Sequence, residues 1–175
     1  MRRRAWTLVC AALAIALPAG AARAQVSDVA VKAAFIPKFA RYVTWPASAP
    51  GQADHQLVIC VIGDDPFGAM LNQAAAGQTV AGKPLVVKRL SSSAEASDCA
   101  IAFVDGPHTG EKLAALGHRP VLTVTDARTS PQRGVIHFVI VDGRVRFFID
   151  NAQAQARGLT ISSRLLALAI GVNQK

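Results

Sequence analysis

Two six-residue runs, Leu57-Val58-Ile59-Cys60-Val61-Ile62 and Cys99-Ala100-Ile101-Ala102-Phe103-Val104, carry no charged or strongly polar side chain. Neither alternates apolar with polar, so a strand made from either one is apolar on both faces and must be covered on both. That requirement selects an α/β sheet with helices on each side. Residues 121–125, Val-Leu-Thr-Val-Thr, form a third strand of this kind, and 85–88 a short one. Between them the spacing predicts helices over 66–76 and 109–116, closed by Gly77 and Gly117, and Ser91-Ser92-Ser93 with Asp98 reads as a polar connection.

The flanks add two features. Residues 27–43 read as a first helix, capped by Ser27, with Phe35, Phe39, Tyr42 and Val43 on one stripe and Lys32, Lys38 and Arg41 mostly off it. Pro37 predicts a kink or break near Ile36, Trp45-Pro46 ends the segment, and 47–56 reads as a loop. In the last third, 135–141 and 144–149 surround Asp142-Gly143, a strong hairpin signal, so the sheet is expected to be mixed. Helices are expected over 151–157 and 162–170, divided by Gly158, the second burying Leu165, Leu166, Leu168, Ala169 and Ile170. The architecture expected is one compact α/β domain over 25–175: a mixed β-sheet flanked by helices, with a C-terminal hairpin and helix. A chain of this size buries enough surface for a core of its own.

Residues 1–24 have the form of a secretory signal peptide. A basic Met1-Arg2-Arg3-Arg4 precedes an apolar stretch over 5–18, and Ala22-Arg23-Ala24 makes a small-x-small cleavage site. The apolar stretch is shorter than the roughly 20 residues that span a bilayer, so the chain is not expected to be membrane-spanning. Cys10 lies in the wrong context for lipidation. The whole chain carries a formal charge of +8. Cleavage after Ala24 leaves 15 basic residues against 11 acidic ones, a net charge of +4. With no basic stripe interleaved with aromatics, nucleic acid is not an expected partner. Localisation is expected to be periplasmic. Cys60 and Cys99 remain there as an even pair, which predicts a disulfide.

Candidate chemistry is sparse. His55, His108, His118 and His137 form no pair at metal-ligand spacing and read as exposed or loop residues. There is no Gly-x-Ser-x-Gly elbow and no Cys-x-x-Cys, so no catalytic, metal or cofactor site is expected. The segment Gly63-Asp64-Asp65-Pro66-Phe67-Gly68 follows a strand and precedes a helix, where open α/β sheets bind ligands. It lacks dinucleotide and P-loop spacing, and its paired acids repel phosphate. A turn with a helix cap is one reading of Gly63, Asp64, Asp65 and Phe67; a small-ligand crevice is the other. A Cys60–Cys99 bridge between neighbouring strands would close a loop of about 40 residues and stabilise by roughly 4 kcal/mol. It is either a structural staple or, if strained or exposed, a redox-sensitive bond.

A set of segments gives a resemblance. Val31-Lys32-Ala33-Ala34-Phe35, Phe39, Trp45-Pro46, residues 59–67, Cys99, Val121-Leu122-Thr123-Val124, Arg146-Phe147 and residues 158–166 together resemble the YfiR-like family of exported bacterial proteins, across nearly all of the mature chain. The resemblance implies a compact α/β domain that tends to dimerise, with a shared cysteine pair corresponding to Cys60 and Cys99. A second disulfide of some members has no counterpart, Pro37 interrupts the first helix, and Asp150 stands where Asn is expected. The implied function is regulatory, not enzymatic: repression of an inner-membrane diguanylate cyclase of the YfiN type through its periplasmic sensing domain, lowering cyclic di-GMP and biofilm. The segment over 157–166 is the candidate partner surface, with Arg157, Leu159, Ile161, Ser162 and Ser163 as contacts. The competing reading is a helix that only packs on the sheet. A small-ligand binder with its crevice at Gly63–Phe67 is the alternative function.

Overall fold

The computed structural model describes residues 27–49 and 55–174; residues 1–24, read above as a signal peptide, lie outside them. The first helix, α1 (Asp28–Phe39), starts where Ser27 Oγ accepts the Ala30 N–H at 3.2 Å. It runs unbroken through Pro37 and tightens into a 3₁₀ turn, Ala40–Tyr42. The break expected at Ile36 does not occur. Pro37 removes one donor near the helix end, and both it and Ile36 are buried, so packing outweighs the local cost.

Strands β1 (Val43–Thr44) and β2 (Leu57–Ile62) lead to α2 (Ala69–Ala75), and a short hairpin follows, β3 (Thr79–Val80) with β4 (Lys83–Leu90). A capped 3₁₀ turn, Ser93–Glu95, enters β5 (Cys99–Val104); then come α3 (Thr109–Leu116), β6 (Leu122–Asp126), β7 (Ile136–Val141) and β8 (Arg144–Asp150). The chain ends with α4 (Asn151–Ala156), β9 (Thr160–Ile161), α5 (Ser163–Leu166) and β10 (Gly171–Asn173). Asp142 and Gly143 both have positive φ at the β7–β8 turn, as a two-residue hairpin of the primed type needs.

Eight strands form one mixed sheet in the order β10-β8-β7-β6-β5-β2-β4-β3. Its centre, β4-β2-β5-β6-β7, is parallel throughout. That is the doubly wound order, with the switch in winding direction between β2 and β5. One face, with Ile59, Val61, Ile101, Phe103, Val124 and Phe138, packs under α1 and α2. The other, with Val58, Cys60, Ile62, Ala102 and Val104, packs with Leu116 of α3. Phe39 of α1 anchors the first face, its ring 5.4 Å from Phe147 and 5.8 Å from Phe138. The small β1–β9 sheet joins the two ends of the chain, pairing Val43 with Ile161.

Four expectations change. The last helix stops at Leu166 instead of running to Ile170: Ile170 N donates to Phe147 O at 3.0 Å and Gly171–Asn173 continue along the open edge of β8. Leu168 and Ile170, expected in the core, are 60% and 45% exposed. Lys32 is not on a solvated face but buried, paired with Asp126 at the end of β6. His137 is also buried, in β7, its Nδ1 2.8 Å from Thr125 Oγ1. The same hydroxyl accepts the Gly134 N–H at 2.9 Å. Burial, reinforced by Arg133 and opposed by Asp126, holds the imidazole pKa below its ordinary value.

Candidate functional site

The loops that leave β2 and β5 meet at the switch point, where doubly wound folds place their ligands. Gly63, Asp64 and Asp65 do lie there, but most of their groups are committed. Asp65 Oδ1 accepts the N–H groups of Phe67 and Gly68 at 2.8 and 3.2 Å, and Oδ2 takes Arg89 Nε at 2.8 Å. Phe67 turns inward, 4.6 Å edge to face with Phe103. Asp64 is exposed, with its carboxylate over Gly106. Lys112 Nζ reaches into the space beside Gly63 and donates to Asp105 O at 2.7 Å.

Gly63 is the closest point of this junction. Its φ is +94°, and a Cβ there would fall 2.2 Å from Asp105 O and 2.4 Å from Lys112 Nζ. The lysine tip can move, but the carbonyl belongs to the end of a buried strand. Gly63→Ala is therefore expected to destabilise by about 2 kcal/mol or more. A urea titration checks this; an unchanged midpoint contradicts the close approach.

Cys60 and Cys99 are bonded, with Cα atoms 5.8 Å apart and both residues wholly buried. Strand alternation alone would put Cys99 on the face of Ile101 and Phe103, opposite Cys60. A register shift resolves this: Val58 pairs with Cys99, but Ile59 pairs with Ile101. The extra residue, Ala100, inverts the face on which Cys99 emerges. Trp45 Nε1 donates to Ala100 O at 3.1 Å, so an indole holds the irregularity in place. Asp98, beside the bridge and just before β5, is paired across β2 with Lys88 of β4.

The segment singled out for partner contact divides. Leu159 and Ile161 are in the core, the latter paired to β1. Arg157 is 8% exposed and donates through Nη1 to Arg119 O at 3.3 Å, while its Nε has no partner among the described residues. Ser162 is half-buried, and its Oγ accepts the Leu165 N–H at 3.4 Å to cap α5. Ser163 is exposed. The apolar side chains that this region presents to solvent are Leu168 and Ile170, which the sequence pattern assigns to the core. An apolar cluster carries no signal of its own to distinguish burial inside the fold from presentation outside it.

A doubly wound domain stapled across its central strands, with Asp65 at its switch point engaged in turn contacts, is the class that these observations define. A family model described as YfiR/HmsC-like matches residues 29–170, and the chain belongs to that family. No curated protein matches the chain. Membership points to a periplasmic regulator of cyclic di-GMP signalling. Among the described residues, no helix is long and apolar enough to cross a membrane.

Proposed function

We propose that this protein is exported by its N-terminal signal peptide, acts as a homodimer, and represses an inner-membrane diguanylate cyclase of the YfiN type. It does so by binding that enzyme's periplasmic sensing domain. The family match along nearly the whole domain carries this reading. Repression needs no chemistry from the repressor. A protein that binds the inactive conformation of the sensor more tightly than the active one moves the equilibrium by the ratio of the two affinities. A shift from 1:99 to 99:1 takes a ratio of about 10⁴.

The surface that supports such a contact is the C-terminal segment beginning at Arg157, with Ser163, Leu168 and Ile170 at its exposed side. Leu159 and Ile161 act beneath it, holding the segment to β1 and the core. Leu168→Glu with Ile170→Glu leaves the core untouched. The double variant is expected to weaken association with the sensing domain by about tenfold or more, as loss of two buried apolar contacts implies. Cellular cyclic di-GMP should rise to the level of a deletion strain, with circular dichroism and melting temperature preserved. Unchanged association in the folded variant removes this surface; unchanged cyclic di-GMP on deletion, with the cognate cyclase expressed, removes the function.

A further inference from the structure

A cleft of about 320 Å³ lies between the C-terminal end of α3 and α4, walled by Leu113, Ala114 and Ala156 and reached by Arg157, His118 and Gln153. Among the described residues, no acidic side chain lines it. Arg157 is more than nine-tenths buried, yet its single protein acceptor is the Arg119 carbonyl, and its Nε meets none among the described residues. Unsatisfied, buried cationic donors are costly and uncommon. The charge acting on Arg157 from nearby makes matters worse: it is another guanidinium, Arg119, which together with burial lowers the Arg157 pKa.

Among the described residues, nothing local supplies the missing acceptors. The last carbonyls of α3 are already taken, because Arg119 Nε donates to Leu116 O at 3.2 Å and Nη2 to Ala115 O at 3.0 Å. Gln153 cannot help either. Thr123 Oγ1 accepts the Val135 N–H and donates to Gln153 Oε1 at 3.3 Å, and the Gln153 amide NH₂ has no partner among the described residues. The cleft thus combines apolar walls with two donors, Arg157 Nε and the Gln153 NH₂, that have no acceptor among the described residues.

We propose that this cleft binds a small organic carboxylate, its charge on Arg157 with the Gln153 NH₂ as second donor, and its apolar body against Leu113, Ala114 and Ala156. A guanidinium matches a carboxylate by planar, charge-assisted hydrogen bonds, and a buried site strengthens them. The site is separate from the exposed Leu168–Ile170 surface and stands whether or not the protein represses a cyclase.

Sodium benzoate, with benzamide as its neutral counterpart, tests this on the full protein with its disulfide intact. The Arg157 Nε–H proton resonance should shift on benzoate addition at millimolar concentration and stay in place with benzamide. Benzoate should also raise the melting temperature, and Arg157→Gln should weaken its binding by about tenfold or more, since a hydrogen bond to a charged group contributes about 1.5–3 kcal/mol. No resonance shift, an equal response to benzamide, or unaltered benzoate affinity in Arg157→Gln overturns the proposal. Should Arg157→Gln fail to fold, the wild-type resonance and the contrast between benzoate and benzamide still decide it.

Discussion

Asp126→Ala is expected to cost about 3–5 kcal/mol of folding free energy, the range for removing one member of a buried ion pair. Asp126 accepts from Lys32 Nζ through Oδ2 and from the Arg128 N–H through Oδ1 at 3.1 Å. Lys32 is 2% exposed and Asp126 7%. With the carboxylate gone, the ammonium must deprotonate, drag water inward or pull α1 away from the sheet. Replacing both residues by apolar ones of similar size, Lys32→Met with Asp126→Leu, should be less damaging than the single change, because no charge is stranded. Urea unfolding of the three proteins checks this. A loss below about 1 kcal/mol in Asp126→Ala, or a double variant less stable than the single one, contradicts it.

The second large effect is at the bridge. Cys60→Ala with Cys99→Ala should remove about 4 kcal/mol, the chain-entropy value for a sequence separation of 39 residues. The melting temperature should then fall by about 8–16 °C for a domain of this size. Both cysteines are wholly buried, so a reductant should leave the native bond intact on the timescale on which the fold stays closed. Reduction should follow global unfolding. Thiol trapping with and without urea separates the cases: rapid trapping in the native protein would mark an accessible, redox-responsive bond instead of a staple.

The central strands were legible because residues 57–62 and 99–104 have apolar side chains at every position, a pattern that only a doubly covered sheet accommodates. Asp142-Gly143 was legible for a local reason, since the turn type demands positive φ at both positions. What escaped depends on distant partners. Nothing near Lys32 reveals that Asp126, 94 residues on, meets it inside the protein. The two-residue strands β1 and β9 are too short to show a period, and they exist because they find each other. At the C-terminus, the density of apolar residues over 165–170 suits helix, strand or exposed surface alike, and the free edge of β8 made the choice. The bulge at Ala100 was invisible for the same reason: its anchor is Trp45. In the candidate site, Gly63 to Phe67 were placeable from the strand that precedes them. The donor-lined cleft around Arg157 was not, because α3, α4 and Thr123 of β6 each contribute part of it.

Joining the first helix to the final strands also governs how the molecule is made. Phe39 rests on Phe138 and Phe147, about a hundred residues downstream, and Val43 is hydrogen-bonded in a ladder with Ile161. Such high contact order makes folding slow, since distant segments must meet before any of their interactions count. A growing or threading chain therefore stays open until its last few dozen residues arrive. Any product cut short before Ile161 leaves the phenylalanine cluster's neighbours incomplete and its helix loose, ready for proteases.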